Sequence, residues 1–481
     1  MSLQGRIQQR NPEPEVPVTR EQHAEPEKTT GPVDPFADLK SRVHHDVITR
    51  LGPRLFAAGG DEGRDSALEP RVLEAVEEAI ALDKTPLTRQ ERAQVTREIA
   101  DDILGYGPLE PFLRDETVSE IMVNGPHSIW VERRGKLLRT DAGFVDDQHL
   151  LRIIDKIISR IGRRIDEASP MVDARLPDGS RVNAIIPPLA VTGPTLTIRK
   201  FRRDPLTMED LLRFGTLTPR AAQLLEACVR GKLNILISGG TGSGKTTTLN
   251  VLSGAIPEGE RIVTVEDAAE LQLRQEHVIT LETRPANIEG KGMVSIRDLV
   301  RNCLRMRPDR IIVGECRGPE TIDMLQAMNT GHDGSLTTIH ANTPRDALSR
   351  VETLVLTGGV ELPLKAIREQ IASAFDMVVQ VSRLVDGTRR ITHITEVLRM
   401  ESDVVTLQDL FFAKPVEDGD ESSGSHSRLL GPMRASGIKP QFLSKLGENG
   451  VHLPPQFFQL EPERADGSPA QRPTAFGRTS A

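Results

Sequence analysis

The stretch "NILISGGTGSGKTTTLNVL", residues 234–252, decides the fold of the second half of this 481-residue chain. It matches the pattern G-x-x-x-x-G-K-[ST] through Gly239, Gly244, Lys245 and Thr246, after an apolar run and before a helix-forming one. The pattern predicts a strand, a glycine-rich loop and a helix, whose backbone N–H groups and positive amino end hold phosphate. The loop residues expected to bind are Gly239, Gly240, Thr241, Gly242, Ser243, Gly244, Lys245, Thr246 and Thr247.

The same loop predicts the cofactors. We expect the Lys245 ammonium group to bridge the β- and γ-phosphates and the Thr246 hydroxyl to bind Mg²⁺. A glycine-rich turn without nucleotide is the alternative, and the complete pattern between a strand and a helix disfavours it. The sequence therefore predicts a domain that binds a nucleoside triphosphate with Mg²⁺.

Acidic side chains follow two apolar strands downstream of the loop. The strands are "RIVTVEDAAEL", residues 261–271, and "DRIIVGECRG", residues 309–318. Open α/β sheets bind ligands at the carboxyl ends of their strands, where these acids stand. Glu266 is expected to polarise the attacking water, and Glu315 to hold Mg²⁺ through a water, because Gly314 occupies the usual Walker B aspartate position. The two roles can be exchanged, and Asp267 and Glu270 are weaker candidates.

Composition excludes several classes of protein. The chain has 61 Lys+Arg against 69 Asp+Glu, a net charge of −8, where a nucleic-acid-binding protein normally has a basic surplus. Its three cysteines are too scattered for a disulfide framework, which predicts reduced, buried thiols in a cytosolic protein. No apolar run approaches the ~18 residues of a membrane span, and no signal peptide is predicted. We expect no nucleic acid, and only peripheral membrane contact through partners.

Composition and periodicity also divide the chain. Residues 1–37 and 461–481 are predicted to be disordered, because they hold too few large apolar residues to offset the entropy of ordering. Residues 38–105 show apolar residues at three- and four-residue steps, as a small helical bundle requires. Residues 106–203 are predicted to form an α+β domain and 204–217 a linker. Residues 218–412 are predicted to form an α/β domain with a mostly parallel sheet and helices on both faces, and 413–460 a C-terminal extension with a flexible insert at 417–427.

Four motifs in a fixed order identify a family resemblance. The glycine-rich loop, "VEDAAEL", "IIVGECRGPET" and "TGHDGSLTTIHANTP" resemble the secretion ATPase superfamily of type II and type IV secretion and type IV pilus motors. Residues 104–126, "LGYGPLEPFLRDETVSEIMVNGP", and 170–188, "PMVDARLPDGSRVNAIIPP", look most like the CpaF/TadA branch, which serves the Flp (tight-adherence) pilus. The four-cysteine zinc insert of many type II secretion ATPases is missing.

The resemblance implies a RecA-like ATPase domain at residues 218–412 that binds ATP. It also implies a homo-hexameric ring in the cytoplasm, peripheral at the inner membrane and attached to inner-membrane platform proteins. It also implies that nucleotide sits between the N-terminal and C-terminal domains, so that Arg175 and Arg199 reach the phosphates. Arg181 is a weaker candidate, and Arg202 and Arg203 fit simple linker charges. Arg317 is expected to orient Glu315.

Two histidines frame the last of these motifs, His332 and His340, eight residues apart. A lone histidine is more often a satisfied core or surface residue than a catalytic one. In the superfamily this segment is a histidine box beside the γ-phosphate. The resemblance therefore implies that both histidines sense the γ-phosphate or transmit its loss, and that His332 enters the strand on the nucleotide side.

Three functions compatible with the sequence compete. The leading one is a ring ATPase that powers assembly of a Flp-type pilus or related secretion. A VirB11-like type IV secretion ATPase is the second. The third is a nucleotide-gated scaffold with little turnover, which Gly314 in the Walker B strand supports.

Overall fold

The computed structural model describes residues 35–56, 65–160, 163–201, 205–286, 291–359, 361–415 and 430–460. Residues 1–34, 416–429 and 461–481, which hold most of the segments predicted to be disordered or flexible, lie outside these ranges. The chain divides into two compact units, Met1–Arg133 with Leu137–Lys200 and Arg134–Lys136 with Phe201–Ala481.

The N-terminal unit begins with three helices that share an apolar core. They are α1 (Ala37–Phe56), α2 (Asp65–Leu82) and α3 (Arg89–Leu104). A capping box starts α3, because Thr88 accepts from the Glu91 amide and the Glu91 carboxylate accepts from the Thr88 amide. Side chains at four-residue spacing fill the core, among them Leu39, Val43 and Val47 on α1 and Val72, Val76 and Ile80 on α2.

A six-stranded antiparallel sheet completes the N-terminal unit. Its elements in chain order are α4 (Glu110–Arg114), β1 (Val118–Asn124), β2 (Ile129–Arg133), β3 (Lys136–Arg139), α5 (Asp147–Ser159), β4 (Met171–Arg175), β5 (Arg181–Ile185) and β6 (Thr195–Arg199). The strand order is β3-β2-β1-β6-β5-β4. Helix α5 buries Leu150, Ile153, Ile154, Ile157 and Ile158 in the same core as the apolar residues of the sheet.

The C-terminal unit is built on a nine-stranded sheet. Its elements are α6 (Met208–Arg213), α7 (Pro219–Arg230), β7 (Ile235–Gly239), α8 (Lys245–Ser253), β8 (Ile262–Glu266), β9 (Val278–Glu282), α9 (Ile296–Cys303), β10 (Arg310–Val313), α10 (Glu320–Asn329), β11 (Leu336–His340), α11 (Pro344–Thr357), α12 (Leu364–Ala374), β12 (Met377–Arg383), β13 (Arg389–Glu401), β14 (Val404–Pro415), β15 (Leu430–Ala435) and α13 (Leu443–Glu448). The order β15-β14-β13-β12-β7-β11-β10-β8-β9 joins six parallel strands to an antiparallel meander.

Alternate side chains of the central strand β7 point into two different cores. Ile235 and Ile237 belong to a core with residues of α7 and α8, and Leu236 belongs to a core with residues of α9 to α12. A strand covered by helices on both faces is mostly apolar, which explains the run "ILI", residues 235–237, before the glycine-rich loop. The predicted α/β architecture with helices on both faces is confirmed.

Two segments differ from a simple chain of domains. A six-residue helix, α6, lies inside residues 204–217, and it starts with a capping box between Thr207 and Asp210. The last strand of the large sheet, β15, lies in the C-terminal extension. This extension also packs on the rest of the C-terminal unit through Lys445, whose ammonium group lies 3.0 Å from the Asp333 carboxylate and 2.9 Å from that of Asp376.

The three cysteines are buried and free, as predicted. Burial raises the pKa of the Cys303 thiol to about 11 and that of Cys316 to about 12. Both thiols are therefore protonated at neutral pH, and they pack as small apolar side chains. None of the helices in the described ranges combines the length and the hydrophobicity that a bilayer span requires.

Candidate active site

The glycine-rich loop joins β7 to α8 at the carboxyl edge of the parallel strands. Gly242 and Gly244 have φ values of 66° and 99°, in the left-handed region that glycine adopts without strain. A side chain at Gly239 would collide with the Ser243 hydroxyl and the Val381 carbonyl group. The loop therefore needs glycine at all three positions to take this shape.

The loop fits a phosphate group. The first turn of α8 starts at Lys245, and its amide groups point out of the helix without an intrahelical acceptor. The buried Oγ of Ser243 has no hydrogen-bond partner in the part of the chain that the structure describes. Lys245 Nζ lies 3.1 Å from the Gly240 carbonyl oxygen, at the loop itself. The Ser243 hydroxyl and the Lys245 ammonium group would thus donate to the phosphate oxygens of ATP. The Thr246 hydroxyl would be a ligand of Mg²⁺.

Glu266, at the carboxyl end of β8, is almost completely buried, with 4% of its surface exposed. The Glu270 amide donates to its Oε2 at 2.9 Å, and the Leu271 amide donates to Oε1 and Oε2 at 3.3 and 3.1 Å. The segment is itself attached to α8, because the Gln272 amide donates to Asn250 Oδ1 at 2.9 Å. The carboxylate therefore has a fixed position and few free lone pairs.

Glu315 follows β10, and its carboxylate is more accessible, with 23% of the side chain exposed. Arg317 donates to Oε2 from Nε at 2.9 Å and from Nη2 at 2.6 Å, so the contact that we predicted between these side chains is present. The Glu320 carboxylate accepts from the Arg317 and Gly318 amides, both at 2.7 Å, and so holds the loop that carries Arg317. Asp267 is more remote, 3.6 Å from Arg317 Nη1 and half exposed.

The two histidines lie at opposite ends of strand β11. His340 is exposed, ends β11 and pairs with Gly239 of the adjacent β7, at the start of the phosphate loop. His332 precedes β11 at its amino end, where its Nδ1 lies 3.1 Å from the Ala327 carbonyl oxygen at the end of α10. Strand β11 alone, from Leu336 to His340, spans about 13 Å. The expectation that His332 faces the nucleotide is wrong, because the whole strand β11 intervenes.

The structure thus provides a test of the histidine box. His340→Ala is expected to bind ATP with near-normal affinity and to lose at least about tenfold in turnover, because the residue pairs with Gly239 at the start of the phosphate loop. His332→Ala, on the same strand but at the far edge, is the matched control. We expect it to keep its turnover and to lose only about 1 kcal/mol of stability with the Ala327 contact.

Nucleotide affinity, melting temperature and phosphate release measured for both variants decide the question. Equal loss of turnover in the two variants would contradict this placement. Normal turnover in His340→Ala would return both histidines to a structural role.

The predicted arginines form a row on the sheet of the N-terminal unit. Arg175 pairs with Arg181, and Arg181 pairs with Arg199, on the adjacent strands β4, β5 and β6. Directly paired side chains of antiparallel strands point to the same face, and like charges in such pairs repel. Glu120 pairs with Arg199 and ends the row, its Oε1 3.9 Å from Arg199 Nε. Arg181, the weaker candidate, therefore belongs with the other two.

Sequence reasoning missed two arginines at the phosphate loop. Arg389, the first residue of β13, donates from Nε to the Gly242 carbonyl group at 3.0 Å. Arg383, the last residue of β12, has its Nη1 3.5 Å from the position of a Cβ on Gly242. The two arginines flank the turn between β12 and β13, and the sheet places β12 beside β7. Arg202 and Arg203 lie outside the described residues.

Comparison with known proteins shows which family and which relatives this chain is similar to. Residues 102–409 match the profile of a family described as "Type II/IV secretion system protein". A putative conjugal transfer protein of Mycobacterium tuberculosis is 40% identical over 314 residues, which cover 64% of this chain and 89% of that protein. The type IV secretion system protein PtlH of Bordetella pertussis is 37% identical over 309 residues, covering 59% and 91%.

A structural comparison finds the VirB11 ATPase from the Brucella suis type IV secretion system, crystallised in complex with sulphate. It shares 30% sequence identity at a TM-score of 0.33, over 60% of this chain and 94% of that one. The family of this chain is therefore assigned from the match to the family profile and from the two sequence relatives.

Proposed function

The chain belongs to the type II/IV secretion system protein family, and from this premise we propose that it hydrolyses ATP to drive a secretion or pilus-assembly machine. The glycine-rich loop, with Lys245 and the amide groups in the first turn of α8, supports the proposal most strongly. Multiple-turnover release of phosphate from Mg-ATP tests it, because a protein that only binds nucleotide releases at most one phosphate per chain.

The chemistry assigned to the chain follows from its donors and acids. The loop amides and Lys245 hold the phosphates in line and neutralise charge that develops on the transferred group. Magnesium supplies further positive charge when bound, and Thr246 with one of the two glutamates would hold it. The remaining glutamate orients the attacking water and accepts its proton.

We infer that Glu266 and Glu315 exchange the roles that the sequence analysis predicts for them. Glu266 accepts three amide hydrogen bonds and is almost buried, which suits a fixed carboxylate that holds a magnesium-bound water. Glu315 is bound by Arg317 through Oε2 alone among the described contacts, which leaves Oε1 for a water molecule. Glu315 is therefore the better general base.

The finer proposal is a homo-hexamer at the cytoplasmic face of the inner membrane, held there by platform proteins. The row formed by Arg175, Arg181 and Arg199 supports it, because three adjacent guanidinium groups favour an anion such as a nucleotide phosphate. We propose that the row contributes to turnover only once rings have formed.

A concentration series tests assembly. Turnover per chain is expected to rise with protein concentration until rings are complete, and Arg199→Ala is expected to lower the plateau at least about tenfold. The control is Arg164→Ala, since Arg164 is 81% exposed and pairs only with Asp166 among the described ion pairs. Full turnover per chain in a nanomolar monomer would contradict the assembly proposal, and a normal plateau in Arg199→Ala would remove the arginine row from it.

For the biological machine, we propose Flp-type pilus assembly, on the strength of the motifs at residues 104–126 and 170–188. A VirB11-like role in type IV secretion is the second candidate, which the identity with PtlH favours. Deletion of the gene followed by assays for pili and for a secreted substrate separates the two. Loss of pili with normal secretion supports the first candidate, and the reverse supports the second.

A further inference from the structure

The three-helix bundle and the sheet of the N-terminal unit have separate apolar cores. One core holds residues of α1, α2 and α3, and the other holds residues of α5 and the strands. Polar groups meet where α3 adjoins α5. Lys156 of α5 donates to three carbonyl groups at the carboxyl end of α3, those of Asp102, Ile103 and Gly105, at 3.3, 2.9 and 2.6 Å. Hydrogen bonds therefore hold the bundle to α5 at this place.

Two imidazoles from different helices share one carboxylate at the same junction. His44 of α1 has its Nε2 3.2 Å from Asp102 Oδ2, and His149 of α5 has its Nε2 2.6 Å from Asp102 Oδ1. The Val145 amide donates to His149 Nδ1 at 3.4 Å, so the neutral His149 ring donates to the carboxylate from Nε2. This histidine–aspartate contact, formed by His44, Asp102 and His149, joins α1, α3 and α5.

The side of α5 that faces His44 is cationic. His149, Arg152 and Lys156 follow one another at steps of three and four residues, which places them on one side of the helix. Burial lowers the pKa of His44 below its ordinary value of 6.5. The Asp102 carboxylate opposes this shift, and Arg152, His149 and Lys156 add to it. A positive charge on His44 is therefore disfavoured while α1 lies against α5.

We propose that the histidine–aspartate contact is a pH-sensitive switch: the bundle stays docked on α5 while His44 is neutral, and it is released when His44 takes up a proton. The proton adds a cation beside Arg152 and Lys156, at a site where the side chain of His44 is only 27% exposed and water screens the charge poorly. The inference concerns the N-terminal unit and goes beyond ATP turnover.

Acidification is the direction that releases the bundle. A histidine whose pKa is lower in the docked state binds its proton preferentially in the released state. Docking is therefore most favoured above pH 6.5 and weakens as the pH falls below that value. For one proton, the ratio of released to docked molecules can rise by at most about tenfold between pH 7.5 and 5.5.

Asp102 acts in the same direction at lower pH. Burial by itself would raise the pKa of this carboxyl group, but the hydrogen bond from His149 and the charges of His149, His44 and Lys156 outweigh it and lower the pKa below 3.8. A carboxylate with a lowered pKa stabilises the docked state above its ordinary pKa, and this contribution is lost in stronger acid. The response between pH 7.5 and 5.5 therefore belongs to His44.

Energy transfer between two dyes on single full-length molecules measures docking. Cysteines that carry the dyes replace Leu82, at the end of α2, and Val191, between β5 and β6, whose side chains are 73% and 92% exposed. The three native cysteines are buried and do not compete for the dyes. In this background the variants are His44→Gln, Asp102→Asn and His45→Gln. His45, the exposed neighbour of His44 on α1, gives the matched control.

In the otherwise wild-type protein, the ratio of released to docked molecules is expected to rise about three- to tenfold from pH 7.5 to 5.5. His44→Gln is expected to change less than about 1.5-fold, because glutamine donates to Asp102 but takes up no proton. His45→Gln is expected to respond as the wild type does. Asp102→Asn is expected to raise the ratio already at pH 7.5, because no carboxylate then faces Arg152 and Lys156.

An unchanged ratio in the wild-type protein would overturn the inference, and so would an acid response that persists in His44→Gln. Circular dichroism at both pH values separates release from unfolding, and loss of the helical signal at pH 5.5 would identify denaturation instead of a switch. The comparison of His44→Gln with His45→Gln stands even if Asp102→Asn does not fold. None of these measurements depends on phosphate release, so their failure leaves the proposed function untouched.

Discussion

Lys245→Ala is expected to lower steady-state ATP turnover by at least about 100-fold while the protein stays folded. The residue faces the phosphate loop rather than a core, with its ammonium group at the Gly240 carbonyl. A preorganised positive charge of this kind contributes a few kcal/mol to the stabilisation of the transition state, which corresponds to about 10²–10³ in kcat. Phosphate release and thermal melting, measured on the same preparation, give the two numbers.

Lys365→Ala is the control for this experiment. Lys365 is an exposed surface lysine whose ammonium group lies 3.6 Å from the Asp403 carboxylate, and exposed ion pairs contribute little to stability. We expect wild-type turnover in this variant. Retained turnover in Lys245→Ala would remove the loop from the catalytic site, and a large loss of melting temperature would turn the effect into one of folding.

Glu315→Gln is expected to bind Mg-ATP normally and to lose at least about 100-fold in kcat, because the amide cannot accept the proton of the attacking water. Glu266→Gln is expected to raise the Mg²⁺ concentration needed for half-maximal rate about tenfold, as well as to slow turnover. The reason for the difference lies in the environments: Glu266 is fixed by backbone amides, whereas Glu315 keeps one oxygen outside its Arg317 contact.

A Mg²⁺ titration of both variants is the measurement. If Glu315→Gln shows the raised Mg²⁺ requirement and Glu266→Gln does not, the roles are those predicted from the sequence and the exchange is wrong. If neither variant changes the requirement, the glutamates do not hold the ion.

Local chemistry made the phosphate loop predictable. The turn between β7 and α8 needs glycine for its backbone angles and a lysine for its charge, and these requirements appear as a fixed spacing in the sequence. The same holds for α11, where Thr343 caps the helix by accepting from the Asp346 amide. The capping box Thr207-x-x-Asp210 also predicts the start of α6, which lies inside residues 204–217, the segment predicted to be a linker.

Contacts that depend on strand order were not predictable in this way. His332 and His340 are only eight residues apart in the sequence, yet they lie at opposite ends of β11. Arg389 is close to Gly242 only because β12 pairs with β7, far away in the chain. A Cβ on Gly314 would likewise lie 2.8 Å from Glu266 Cγ only because β8 and β10 are neighbours. Each of these facts belongs to the sheet rather than to any local pattern.

The central claim is that this chain is an enzyme which turns over ATP. The most direct test is the release of phosphate by the purified full-length protein at micromolar concentration, with saturating ATP and Mg²⁺, followed far beyond one equivalent per chain. We predict a steady rate that persists for many turnovers, stops when EDTA removes Mg²⁺, and is absent in Lys245→Ala. Release that ends at or below one phosphate per chain, with ATP still bound, would contradict the claim and identify a nucleotide-gated scaffold.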